Sequence, residues 1–453
     1  MKTVVCRLPV GVLLVLLVWG PPAVGGEGAG GEGQGLVRVP NPLSGRNPTY
    51  PLVVRSVPAV GKSFLDARFK TKLTRITQQT GLRHEYSRYD PFNRDQSRIV
   101  LIHPDSGDLR VYRTAGFPYD RKANLLKTLD MEQPRWDPSD ANVLWGLKDH
   151  QILTVDFRTN RTTVVKDFRK DPAIGPILNA EGDLYRITTK DEGEASRDMR
   201  FWALCLQGSK EEYRLRYIFT WDRRTDRVLG VCKLAKGDEV DWVGMSWLGK
   251  WVLIGADPGT GKVSGLMMAD KGLARLHKLA HGTAHSDVGL DAQGNEVIVM
   301  QNSRTDHIDL IPIDWRTTPV RDADDAYAGT NHVRLVRLFY ASDSPVGFGG
   351  GVHLSCNAPG WCVISTYTEP KVKERNWLDR TIVLARLDPR RPQVYYLAKV
   401  HGTQGAYWEE THATITNDGA KVIWASNWNQ DVGKGKVFLM QLDMPANWQA
   451  RLK

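Results

Sequence analysis

Seven short apolar runs recur along this chain, each behind a turn rich in Asp, Asn, Gly or Pro. They are Arg98–Ile102, Asn142–Trp145, Gly182–Ile187, Gly249–Ile254, Gly294–Val299, Gly360–Ile364 and Gly419–Trp424. Short runs bounded by turn formers read as strands, and no stretch between them carries the spacing of a long amphipathic helix. Successive starts lie 44, 40, 67, 45, 66 and 59 residues apart. The shorter intervals match the roughly 40–50 residues that one four-stranded blade of a ring requires. The longer ones contain charged insertions around 190–214, 316–346 and 367–380. After most runs comes another strand that ends at an Asp turn, as in Leu153–Phe157, Phe219–Asp222, Ile311–Asp314 and Leu384–Asp388, and these read as outer hairpins. The pattern predicts an all-β, seven-bladed β-propeller. Its ring would be closed by an N-terminal strand, Phe64–Thr77, that completes the last blade. A six- or eight-bladed ring, or two smaller β domains, are the alternatives.

Ahead of this pattern, Met1, Lys2 and Arg7 introduce the apolar run Val10–Trp19, and small residues follow to Gly25. A charged start, a short apolar run and a small-residue exit predict a signal peptide over 1–25, too short to cross a bilayer as a helix. Residues 26–56 are rich in Gly and Pro and read as a flexible leader; 57–453 are the propeller. The expectation is a periplasmic or extracellular protein with no membrane insertion after cleavage. Cys205, Cys232, Cys356 and Cys362 then remain. A disulfide between Cys356 and Cys362 is one expectation, and four small buried thiols are the other. The formal charge is +10, from 61 Lys and Arg against 51 Asp and Glu. The basic residues are scattered without a nucleic-acid motif, so nucleic acid is not an expected partner; acidic glycans are compatible, and a protein partner is open.

Aligning the runs brings histidines into register. His353 stands ten residues before Val363 and His412 ten before Val422; His285 stands twelve before Val297, behind a longer turn. Equivalent positions of neighbouring blades converge at the mouth of the axial channel. Glu410 lies two residues from His412, on the same side of an extended strand, and Asp287 stands likewise to His285. Imidazole nitrogen with carboxylate oxygen suits Mn²⁺, Zn²⁺ or a similar ion, and a neutral imidazole is also a general base. The plainer account is a set of histidines that only fill the channel. His84–Arg88 combines an imidazole, a phenol and a guanidinium near that mouth, where Arg88 could clamp a carboxylate or pair with Glu85 or Asp90. Tyr89, Trp242 and Trp408 fall near the same rim, as sugar-stacking or core rings. His281 and His401 each open a His-Gly-Thr triplet and read as turn residues. Asp257–Lys262 reads as a hairpin turn rather than a phosphate loop.

The segments Glu410–Gly419 and Val422–Trp428, with His353–Asn357 and His285–Asp287, resemble the innermost hairpins of TolB-like propellers, and more narrowly of the oligogalacturonate lyase family. The resemblance implies a divalent-metal cluster to which His353 and His412 supply ligands, with His285 as base. Glu410 stands where that family has a His, and Tyr407 and Trp408 stand where it has a Gln. The implied reaction is β-elimination on a uronate, with Arg88 or Arg304 on its carboxylate, as a polysaccharide lyase performs. A non-catalytic TolB-like propeller that binds protein or glycan is the other reading.

Overall fold

The computed structural model describes residues 36–302, 306–319, 329–339, 350–369 and 376–452. The expected signal peptide and Arg304 lie outside the described residues.

Seven antiparallel sheets make the blades. Blade 1 is Arg98–His103, Asp108–Arg113 and Leu125–Leu129, with the preceding chain attached by bridges from Arg83 to Ile102 and Phe92 to Ile99. Blade 2 runs from Glu132–Trp136 through Val143–Lys148 and Gln151–Asp156 to Arg161–Asp167. Blade 3 is Arg186–Thr188, Phe201–Gln207, Leu215–Asp222 and Arg227–Lys233, and blade 4 begins with Val240–Met245 and Val252–Ala256. Blades 5 to 7 begin with Ser286–Leu290, Gly350–Ser355 and Thr414–Ile415, followed by Glu296–Asn302, Trp361–Thr368 and Lys421–Ser426.

The second strands are apolar throughout because each is covered on both faces. In blade 5, Val297 and Val299 pack toward blade 6 while Ile298 and Met300 pack toward blade 4. In blade 7, Val422 and Trp424 face blade 6 while Ile423 and Ala425 face blade 1. Successive side chains of a strand point to opposite faces, so a strand between two neighbours loses its polar alternation. Burying each such aliphatic side chain contributes about 1.5–3 kcal/mol. The same sandwiching joins blades 1 and 2, 2 and 3, and 3 and 4. The contact of blade 7 with blade 1, through Leu439, Ile99 and Tyr112, closes the circle.

The ring is closed by the N-terminal strand, as predicted. Lys72–Arg75 pairs with Phe438–Asp443, and Ser63–Leu65 adds a further strand outside it. Residues 36–56, read above as part of a flexible leader, are instead laid on the ring. Val37–Arg38 pairs with Tyr395 and Tyr396 of blade 6, and Val39 is fully buried. Two residues of strand and one buried valine give too short a pattern to stand out against a Gly/Pro-rich stretch.

Six of the seven runs are second strands of their blades, not innermost ones. The exception, Gly182–Ile187, contains the innermost strand of blade 3, whose second strand Phe201–Gln207 falls inside what was read as an insertion. Phe201–Gln207 is apolar nearly throughout, like the other second strands, but lies within a stretch rich in charged residues that masked it. The Asp257–Lys262 segment is the expected hairpin turn, between Val252–Ala256 and Gly265–Ala269. All four cysteines are free thiols, so the Cys356–Cys362 disulfide is not formed. No helix among the described residues is long and apolar enough to cross a membrane.

Candidate functional site

Because the counted runs are second strands, the registered histidines lie on or directly before the innermost strands. His353 is within Gly350–Ser355 opposite Ser365. His285 precedes Ser286–Leu290, and its carbonyl accepts from Gln301 N at 2.8 Å. His412 precedes Thr414–Ile415 in the left-handed region, at φ +42°. A non-glycine residue with that backbone is uncommon and holds strain that its surroundings must maintain. Those surroundings include a hydrogen bond from His84 Nε2 to the His412 carbonyl.

The three imidazoles converge. The ring centroids of His353 and His412 are 3.8 Å apart and those of His285 and His353 4.5 Å apart. Glu410 Oε2 sits 2.6 Å from His353 Nε2 and 3.2 Å from His412 Nε2. These three ligand atoms lie within 4.8 Å of one another. Two imidazole nitrogens and one carboxylate oxygen fit a Mn²⁺- or Zn²⁺-type ion in donor type and convergence. Nδ1 of His353 and of His412 is buried without a partner, so neither ring has the outer hydrogen bond that commonly orients a ligating histidine.

Burial dominates the protonation of this cluster. It lowers His353 and His412 well below the usual histidine value and lowers His285 to about 3, assisted by His353. It raises Glu410, against the pull of His285 and Arg83. The histidines are therefore neutral, the form that ligates metals and accepts protons. Beside them Arg83 is fully buried, lowered to about 10 by burial and so still cationic near neutrality. Its Nη1 donates to the Trp408 carbonyl at 2.6 Å, and its Nη2 has no partner.

The ring axis is occupied by the chain itself. Tyr86 Oη is 3.1 Å from His285 Nδ1, and its ring lies 4.9 and 5.5 Å from those of His412 and His353. Arg88 reaches across the axis to Ser286 Oγ at 2.9 Å and Glu192 Oε2 at 2.8 Å, with its guanidinium 4.7 Å from the Trp242 ring centroid. The Tyr89 hydroxyl donates to the Asp191 carbonyl, and the Arg135 guanidinium lies 3.0 Å from the Tyr89 ring centroid. One irregular segment, 84–90, built of a turn and bends, thus touches blades 2 to 7.

This geometry corrects several expectations. Arg88 pairs with neither Glu85 nor Asp90. Its partner is Glu192, while Glu85 pairs with Arg135 at 3.0 Å. With both partners in place, Arg88 holds the axial segment and has no free fork for a substrate carboxylate. Tyr89 and Trp242, 3% and 1% exposed, are core rings capped by arginines, with no face for a sugar. Asp287 does not orient His285; its carboxylate accepts from Cys356 N at 2.5 Å and Val288 N at 2.8 Å. Trp408 stays at the rim. It lines a hollow of about 350 Å³ with Tyr86, Tyr407 and the carboxylates Glu85, Glu132, Asp191 and Glu192. His401 stacks on Trp428 at 4.1 Å, a packing role. Sequence reasoning missed Arg83, Tyr86 as the partner of His285, and Glu192. The concentration of His, Glu, Tyr and Arg between the closing strand and blade 1 was the available signal.

No known family pattern matches the sequence, and no curated protein sequence does. Solved structures do. An oligogalacturonate lyase from Vibrio parahaemolyticus superposes with a TM-score of 0.53 at 12% identity, over 85% of this chain and 97% of that one. An oligogalacturonate lyase in complex with manganese gives 0.53 at 13%, over 86% and 97%. At such identity the likeness shows the propeller fold.

Proposed function

We propose that the chain is a polysaccharide lyase that cleaves uronate-containing oligosaccharides by β-elimination, assisted by a divalent ion. The observation that carries this reading is the convergence of His285, His353, Glu410 and His412 at one mouth of the ring. The likeness to a lyase that has a manganese complex is consistent with it. His353, Glu410 and His412 would hold the ion, which when bound would neutralise a uronate carboxylate and so acidify the neighbouring C5 hydrogen. His285 is held neutral, and Tyr86 fixes its ring through Nδ1. When Nδ1–H donates to the phenol, Nε2 is free to take the C5 proton as the C4–O4 bond breaks and a C4=C5 double bond forms. Water reprotonates the departing oxygen. Arg83 adds a fixed positive charge beside Glu410 that favours anionic groups nearby. Export follows from the signal-like residues 1–25 and is part of the same proposal.

A second reading, a propeller that binds glycan or protein without turnover, is favoured by the axial segment 84–90. It fills the channel with side chains already paired to residues of the surrounding blades and loops. The deciding experiment measures metal content of the purified protein and of the variant His353→Ala/His412→Ala, together with ultraviolet absorbance of unsaturated product from polygalacturonate. The lyase reading expects about one ion per chain, lost in the variant along with product formation. Metal-free protein with no product from any uronate polymer leaves the binding propeller.

A further inference from the structure

We propose that the hollow between the N-terminal residues 36–62, a strap laid on the ring, and the last blade is a binding subsite for one anionic sugar unit, a hexuronate. It holds about 410 Å³ and is lined by Arg55, Ser56, Lys62, Ser63, Phe64 and Trp428, together with two small apolar residues. Every ionisable group that lines it is basic, whereas three of the four carboxylates lining the hollow at the axial mouth are held by arginines, Glu85 by Arg135, Glu192 by Arg88 and Glu132 by Arg186. The strap hollow therefore offers unpaired positive charge to an acidic saccharide away from the axis.

The site is organised as well as charged. Trp428 Nε1 donates to the Arg55 carbonyl at 2.9 Å, which pins the strap to blade 7. The Arg55 guanidinium then lies 5.3 Å from the Phe64 ring centroid. A guanidinium held against an aromatic ring keeps its N–H edges available in a fixed plane, the arrangement that suits a carboxylate. Among the described residues neither Arg55 nor Lys62 has an ion pair or a side-chain hydrogen bond, and both are exposed. Ser56 and Ser63 supply hydroxyls at the same wall for sugar hydroxyls.

Its position is informative. Ala425 N donates to the Thr411 carbonyl at 3.0 Å. The strand Lys421–Ser426 therefore leaves blade 7, on its way to Trp428, at the end of the ring where His412 stands. An extended oligosaccharide with one unit at the His/Glu centre would cross the last blade to reach Arg55. The choice of uronate rests on the function proposed above, but binding here requires no turnover.

The test is equilibrium binding of hexagalacturonate, and of its fully methyl-esterified counterpart, to the full chain under chelation at low ionic strength. The proteins are wild type and Arg55→Glu/Lys62→Glu. Wild type is expected to bind the charged hexamer about tenfold or more tightly than the variant does, with added salt erasing the difference. The esterified hexamer should bind both alike, and the unfolding midpoint should not change. Equal affinity of the two proteins for hexagalacturonate, or no binding by wild type, overturns the subsite. Binding through Arg55 and Lys62 without any unsaturated product upholds the subsite and removes the lyase reading. Cleavage with an unchanged KM in the variant does the reverse.

Discussion

Replacing Arg88 by methionine separates two roles that a buried arginine near an active centre can have. Methionine keeps much of the stem's packing and removes the charge. The loss includes the contact with Glu192 Oε2 at 2.8 Å, the bond to the Glu192 carbonyl at 2.6 Å and the bond to Ser286 Oγ at 2.9 Å. Removing one member of a buried pair costs about 3–5 kcal/mol, because the other charge is left unpaired. Arg88 is 2% exposed, but the Glu192 side chain is 29% exposed and is partly rehydrated when abandoned. The expected loss is therefore at the lower end, about 3 kcal/mol. Urea denaturation of wild type, Arg88→Met, Glu192→Gln and the double variant, run on metal-free protein, gives the coupling directly. A pinning role predicts a coupling above about 1 kcal/mol, with Arg88→Met the costliest single change. A loss under about 1 kcal/mol with no coupling would refute the pin and return Arg88 to the role of substrate clamp.

The axial carboxylates make stability depend on pH. Burial raises Asp287 to about 8, with Arg88 and the Cys356 amide opposing and Glu194 adding to it, and burial likewise raises Asp90 to about 7. Between about pH 4 and these values the unfolded chain releases protons that the folded one keeps, so stability falls as pH rises through that window. Histidines away from the site act the other way. His332 and His401 are lowered by burial to about 4, so their contribution is lost as pH falls below about 6.5. Denaturation across pH should therefore show a maximum in the slightly acidic range, and Asp287→Asn should flatten the alkaline limb; an unchanged limb counts against a neutral Asp287. Gly193→Ala should destabilise the protein by about 1–3 kcal/mol, since its Cβ would stand 1.6 Å from the Val243 carbonyl oxygen. The same change should loosen the loop that carries Glu192, read as a reduced Arg88 coupling; wild-type stability in this variant would mean the loop is not seated on blade 4.

What the sequence made legible follows from how far apart the interacting residues lie in the chain. Blade count was readable because each blade repeats a local pattern: an apolar run covered on both faces, as Val297–Met300 is, behind a turn. Glu410 and His412 were readable as a pair from their two-residue spacing, although His412 reaches Glu410 from a left-handed backbone ahead of the strand, and His353 joined them through the repeat itself, which turns sequence spacing into position. The axial segment obeys neither rule. Tyr86 meets His285 across 199 residues and Arg88 meets Ser286 across 198, and no repeat relates them because the segment belongs to no other blade. Its residues read as a polar group near the channel mouth, with Arg88 either a carboxylate clamp or the partner of a sequence neighbour, Glu85 or Asp90. Closure of the ring around them is what removes water, raises Asp90 and Asp287, and leaves Arg88 to Glu192. The same closure explains the division of charge between the two hollows. At the axis Arg88 is taken up by Glu192 and Arg135 by Glu85 and Glu194, whereas Arg55 and Lys62 on the strap line a hollow with no carboxylate and so can meet an acidic polymer.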